Sequence, residues 1–177
     1  MGVANGDGMH EADRGLRNAL SGTDLEATLQ PLERATMLPK AAFLQPAVLD
    51  WELGNIFSRG WIVAGHLSAV AEPGAYISRE AGGRSFVVVG GEDGTPRAFH
   101  NVCRHRGARL MEDAEGKVRR RIQCPYHAWS YDLDGNLRAT PHMEGIEGFD
   151  TSCYGLVGIR TAVIGRASCR ERVSKQV

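Results

Sequence analysis

The chain has 177 residues, and its 21 Lys plus Arg balance 21 Asp plus Glu; 42% of it is hydrophobic and 7% aromatic. That is enough apolar sequence for one ordinary core with extensions, and it excludes a disordered chain, a collagen-like fibre and a disulfide-dense secreted scaffold. A net charge of zero gives no support for a general nucleic-acid binder.

Residues 1–40 read as a polar N-terminal extension broken by Pro31 and Pro39. Met1 to Asp13 lacks the apolar stretch of a secretory signal, and no run is long enough to span a bilayer, so no membrane association and a cytoplasmic location are expected. Leu25, Leu29 and Leu32 suggest a short helix within Thr23–Leu38. Residues 41–60 read as a helical lead-in. Pro46 suits a first turn, and Leu49, Leu53, Ile56 and Phe57 share one helix face. Gly54 should weaken that helix by about 1 kcal/mol relative to Ala.

After Gly60 the texture changes to short β-like runs. Strands are expected at 61–64, 75–79, 85–89, 97–101, 121–123, 129–132, 137–139 and 156–163, with residues 90–96 and 134–136 as turns. The predicted fold class is mainly β: an antiparallel sandwich or barrel over residues 61–163, preceded by the helical lead-in.

Two pairs of soft and borderline donors stand out, Cys103-Arg104-His105 and Cys124-Pro125-Tyr126-His127. Each short spacer lets one tight loop aim two side chains at one centre, which reads as metal ligation and not as a disulfide framework. Two Cys and two His fit a closed tetrahedral zinc site. They also fit a [2Fe–2S] cluster in which two histidines replace two cysteines on one iron. The one-residue spacer of the first pair departs from zinc-site habit and favours iron–sulfur.

The segments Asn101-Val102-Cys103-Arg104-His105-Arg106-Gly107-Ala108 and Cys124-Pro125-Tyr126-His127-Ala128-Trp129-Ser130-Tyr131 closely resemble the Rieske signature of ring-hydroxylating oxygenase α subunits. Asp132 to Leu137, Pro141-His142-Met143 and the lead-in Ile56 to Trp61 extend the likeness, which covers about residues 38–163. Ala128 stands where the family usually has Gly. The resemblance implies that Cys103 and Cys124 bind one iron of a Rieske [2Fe–2S] cluster and His105 and His127 the other. It also implies electron transfer from a flavin reductase or ferredoxin to a mononuclear Fe(II) in a catalytic domain absent from this chain, and a trimeric parent. The extra cysteine pair of respiratory Rieske proteins is missing; those places hold residues such as Ala108 and Tyr126. No His/His/carboxylate triad can be assembled, so the chain alone is not expected to oxygenate. A stand-alone Rieske ferredoxin and a zinc-stabilised interaction module are the alternatives, and the long lead-in weighs against the first.

Trp129 and Tyr131 suit either a shield around the centre or a strand core. Lys117, Arg119, Arg120 and Arg121, with Arg104, Arg106 and Arg109, make a basic neighbourhood that reads as a solvated loop or as a docking face for an acidic donor. Asp132, Asp134 and Asn136 mimic a calcium loop, but Leu137 and Met143 stand where Gly and Glu are required, so a hairpin turn is expected. His10, His66, His100 and His142 read as structural or surface residues, and Cys153 as a plain thiol. Residues 164–173 resemble the translation of a sequencing adapter, so 164–177 read as a non-native tail in which Cys169 has no role.

The neutral total conceals an uneven distribution. Residues 165–177 carry a surplus of three positive charges and residues 103–127 a surplus of four, leaving the remainder acidic.

Overall fold

The computed structural model describes residues 16, 20, 22–143, 145–164 and 168–172, with backbone only for 22–24 and 168–172. His10 and the Cys169 side chain lie outside the described residues, as do residues 165–167 and 173–177 of the anomalous tail. The chain divides into two compact units, residues 1–56 and 57–177.

In the first unit, helix α1 (Gly22–Thr28) is followed by turns, so the helical reading of Thr23–Leu38 holds only for its first part. Thr28 Oγ1 donates to the Leu25 carbonyl at 2.7 Å, and Pro31 follows closely, which together stop the helix. Helix α2 (Ala41–Leu44) leads into α3 (Pro46–Glu52), which carries Pro46 in its first turn as expected. The helix then widens into a π turn, Leu53–Phe57. Gly54 lowers the helical preference there, and Asn55 Nδ2 donates to the Trp51 carbonyl at 2.9 Å, in competition with the backbone ladder. Of the stripe Leu49, Leu53, Ile56 and Phe57, Leu53 is half-buried and the other three are exposed, and the buried residue of α3 is Val48. The wider turn breaks the 3.6-residue period on which that stripe was drawn.

The second unit is antiparallel throughout. Its strands are β1 (Trp61–Gly65), β2 (Ala75–Ala81), β3 (Arg84–Gly90), β4 (Pro96–His100), β5 (Glu115–Lys117), β6 (Ile122–Gln123), β7 (Ser130–Tyr131), β8 (Leu137–Ala139), β9 (Gly158–Ile164) and β10 (Ser168–Arg172). Seven form one sheet in the order β1-β10-β9-β4-β3-β2-β5, and β6-β7-β8 form a second. The mainly β, antiparallel expectation is met. Strand β5 was not anticipated, because Glu-Gly-Lys has no apolar alternation; it exists by pairing with β2 from Ala75 to Ile77.

Strands β2 and β3 join through Gly82 and Gly83, whose φ values of 55° and 71° give the two-residue turn that matches sheet twist. Along β3 the side chains alternate between two cores. Phe86 and Val88 enter a cluster with Val70, Ile77 and Ile159, whereas Val87 and Val89 enter another with Phe99, Ile122, Trp129, Tyr131 and Leu137. The second cluster joins the two sheets, and the Cys103 and Cys124 side chains belong to it.

Candidate metal centre

Each cysteine sits at the tip of a hairpin. The first tip follows β4 and is closed by an isolated antiparallel bridge between Val102 and Arg109. The second joins β6 to β7, whose last pair is Gln123 with Ser130. Both tips use the same two backbone bonds. The Cys103 N–H donates to the Ala108 carbonyl at 2.8 Å, and the Gly107 N–H returns to the Cys103 carbonyl at 3.0 Å. In the second tip the Cys124 N–H donates to Trp129 at 2.8 Å and the Ala128 N–H returns to Cys124 at 3.1 Å. The residue that closes each turn has positive φ, 72° at Gly107 and 57° at Ala128.

This geometry brings the four residues singled out in the sequence together. The thiols of Cys103 and Cys124 are buried in the same core cluster, where Cys124 opposes ionisation of the Cys103 thiol. The rings of His105 and His127 lie 4.9 Å apart between centroids. Among the described residues no three His, Cys, Asp or Glu side chains converge on a place for one metal ion. His127 Nδ1 is buried without a hydrogen-bond partner, an arrangement that costs free energy unless something else satisfies the nitrogen. Partial burial, then the neighbouring His127 and Arg106, disfavour protonation of His105 and favour the neutral ring that ligation requires.

Aromatic residues wrap the centre. Trp129 is fully buried and stacks on His105 with centroids 4.6 Å apart, and Tyr126 stacks on His127 at 3.8 Å. Tyr131 Oη lies 3.3 Å from Cys103 Sγ and accepts from the Arg104 N–H at 3.0 Å. With that oxygen already accepting, its proton is free for the sulfur. Burial, followed by the sulfur contact, pushes the Tyr131 phenol well above its ordinary range, so it stays protonated as a donor. Burial likewise pushes the Cys103 thiol up, while the Tyr131 hydroxyl and the His105 N–H favour its thiolate.

Asn101 is a part of the site for which the sequence offered no signal beyond its place in the motif. Its side chain is 1% exposed, and its Nδ2 lies within hydrogen-bonding distance of Met111 O, Ser78 Oγ and Ser85 Oγ at 2.7, 3.1 and 3.2 Å. Its Oδ1 accepts from the Leu110 and Met111 amides. One side chain thus ties the exit of the first tip to β2 and β3.

The remaining candidates fall elsewhere. Asp132 accepts from the Asp134 and Asn136 amides, and Arg138 donates to it at 2.7 Å, which makes the expected hairpin turn between β7 and β8. His66 caps the short helix that follows β1. His142 is exposed at φ 67°, and Cys153 is exposed beside Asp150. Within the basic neighbourhood, Lys117 pairs with Glu72 at 2.6 Å and Arg109 bonds the Met111 carbonyl. Arg104, Arg106, Arg119, Arg120 and Arg121 have no ion-pair partner among the described residues.

The sequence model of the family described as Rieske [2Fe–2S] domain matches residues 60–150. The carnitine monooxygenase oxygenase subunit of Escherichia coli (strain K12) is 39% identical over 128 residues, covering 72% of this chain and 34% of that protein. The glycine betaine monooxygenase oxygenase subunit of Chromohalobacter salexigens is 41% identical over 119 residues, 67% of this chain and 26% of that protein. Among solved structures, a quaternary ammonium Rieske monooxygenase in complex with gamma-butyrobetaine superposes with a TM-score of 0.72 at 33% identity, over 80% of this chain and 40% of that one. A naphthalene 1,2-dioxygenase with bound indole gives 0.64 at 30%, over 71% and 28%. The chain therefore spans between 26% and 40% of the length of these relatives.

Proposed function

Because the chain belongs to the Rieske [2Fe–2S] domain family, we propose that it is an electron relay, in which Cys103 and Cys124 hold one iron of the cluster and His105 and His127 the other. The observation that carries this reading is the meeting of two unlike donor pairs at two hairpin tips: adjacent buried thiols and adjacent imidazoles, one of them with an unpartnered buried nitrogen. A two-iron cluster takes two pairs of donors, whereas a structural zinc ion takes four donors on one point. When bound, the cluster supplies reversible one-electron chemistry at a potential raised by the neutral imidazoles.

The chain's own residues do the rest. The His105 amide and Tyr131 donate toward the Cys103 sulfur, Trp129 and the surrounding core keep water from the thiols, and the partly exposed imidazoles form the path to solvent. The mononuclear iron of homologous oxygenases belongs to a catalytic domain that is absent here. In a longer protein containing that domain, the relay would carry electrons from a flavin reductase or ferredoxin to the oxygenase site of the same or a neighbouring subunit. Relatives named for carnitine, glycine betaine and choline support a quaternary ammonium compound as the substrate class of such a protein.

The test is anaerobic purification followed by iron and sulfide analysis, absorption and EPR of the reduced protein. Two irons, two sulfides and a rhombic reduced signal are expected, and Cys103→Ser should abolish all three. A colourless, EPR-silent protein carrying zinc would overturn the reading, and normal iron content in Cys103→Ser would overturn the ligand assignment.

A further inference from the structure

Both imidazoles of the centre lie against an aromatic ring, and both rings come from the second tip. Tyr126 stacks on His127 from the neighbouring position in the chain, with ring centroids 3.8 Å apart. His105 has arginines on either side of it in its own tip, and its ring partner is Trp129 from the other one. These two rings are 7° from parallel, with centroids 4.6 Å apart. Trp129 is 1% exposed, so the half-buried His105 ring rests on a side chain held inside the core.

What holds Trp129 is a second layer of rings. Its Nε1 is buried with no hydrogen-bond partner among the described residues, so no polar bond sets the tilt of the indole. Packing sets it instead. The Phe149 ring meets the indole at 5.8 Å and 61°, the Tyr154 ring meets it at 5.9 Å and 85°, and these two rings lie 5.0 Å apart. Edge-to-face contacts at such separations are favourable and directional. The segment that carries both rings is itself tied down. Asp150 Oδ1 accepts from the Ser152 amide at 2.9 Å, and the Leu156 amide donates to the Gly135 carbonyl, in the β7–β8 turn, at 2.7 Å. A line of contacts therefore runs from that turn through Tyr154 and Trp129 to His105. Tyr126, by contrast, is 60% exposed and gives His127 no comparable anchor.

We propose that Phe149 and Tyr154 are positioning residues for the cluster: acting through Trp129, they hold the His105 ring in the orientation in which it ligates iron. This rests on the relay reading. An imidazole binds iron along the lone pair of one ring nitrogen, so a tilted ring weakens that bond and changes the spin density reaching the nitrogen. Groups that orient a metal-bound histidine govern metal affinity by about 10–100-fold. Among the described residues neither Phe149 nor Tyr154 makes a ring contact with His105 or His127, so their effect on the centre passes through the indole.

The experiment uses the cluster-loaded, reduced full chain and has two readouts: the rate of iron loss to an excess of a ferrous chelator, and the histidine nitrogen couplings in pulsed EPR. Tyr154→Leu removes the ring but keeps an apolar side chain. Its iron loss should quicken about tenfold, and one of the two histidine couplings should shift while the other stays. Phe149→Leu should act in the same direction. Tyr154→Phe keeps the ring and should match the wild type in both readouts. Phe86→Leu removes a fully buried ring from the separate core around Val70 and Ile77, and should lower thermal stability without moving the couplings. Shifted couplings in Phe86→Leu or Tyr154→Phe would overturn the proposal. Faster iron loss with unmoved couplings in the two ring-to-leucine variants marks a merely structural role and overturns it too. A wild type without a cluster signal defeats the relay and the proposal with it, whereas a normal wild-type signal and unaltered readouts in Tyr154→Leu and Phe149→Leu defeat the positioning role alone.

Discussion

Gly107 and Ala128 hold the same place in two copies of one turn. Each stands four residues after its cysteine, has positive φ, and returns its amide to that cysteine's carbonyl at 3.0 and 3.1 Å. The histidines do not share this equivalence. His105 lies two residues after its cysteine and His127 three, so a common backbone frame presents the two imidazoles from different points.

The equivalence makes the loops a matched pair for substitution. An L-residue in the left-handed region costs about 1–2 kcal/mol, part of which is returned by the lower chain entropy of the unfolded state. Ala128→Gly should therefore stabilise the loaded protein by about 0.5–1 kcal/mol. Gly107→Ala should destabilise it by a similar amount, from backbone strain alone, since a Cβ at 107 would meet nothing within 4 Å. Denaturant midpoints of the two variants check the opposite signs.

Tyr131→Phe removes the donor to Cys103 Sγ without opening a cavity. A hydrogen bond to a ligating sulfur favours the reduced, more negative state, so its loss should lower the cluster's midpoint potential. At about 0.5–1.5 kcal/mol for one bond, the shift is about 20–60 mV in a one-electron couple. EPR-monitored titration at fixed pH measures it, and an unchanged potential would show that the contact in the folded protein carries no charge-dependent energy.

Asn101→Ala removes a buried side chain with five hydrogen-bonding partners, on β2, β3 and the segment Leu110–Met111 that leaves the first tip. Leaving those groups unsatisfied should cost about 3–5 kcal/mol and reduce iron occupancy. Ser85→Ala cuts only one of the five, so it should cost about 1 kcal/mol and keep the cluster. Thermal unfolding together with iron content distinguishes the graded pair.

Asp132 carries a pH prediction. Burial opposes ionisation of its carboxyl, but the bonds from Asn136 and Arg138 outweigh it and hold the carboxyl below the usual carboxylate range. A depressed folded pKa contributes stability that is present above the unfolded value of about 3.9 and lost as pH falls through the folded one. Asp132→Ala should destabilise the β7–β8 hairpin by about 1–2 kcal/mol at neutral pH, and its deficit against wild type should shrink below about pH 4. Urea midpoints from neutral to about pH 2.5 trace the difference.

Most strands were legible because alternating apolar residues between Gly-rich turns encode a half-buried ladder, as in Ser85–Val89. Strand β5 was not, since its residues are exposed and only the open edge of β2 makes them a strand. The lead-in failed differently. A regular period marked Leu49, Leu53, Ile56 and Phe57 as one face; Leu53 is half-buried, and the π turn that starts there resets the phase and leaves Ile56 and Phe57 exposed.

The sequence by itself determined the chemistry on offer: two Cys/His pairs with spacers short enough for one turn each, no third pair, and strand patterning on either side. Those properties are local, and local spacing survives in any fold. Only the tertiary structure decided that both thiols enter the shared core and that Tyr131, 28 positions away, reaches Cys103. It also decided that Asn101 binds strands 16 and 23 residues upstream. Such pairings depend on the register of antiparallel strands, which long-range contacts set and no short window of residues encodes.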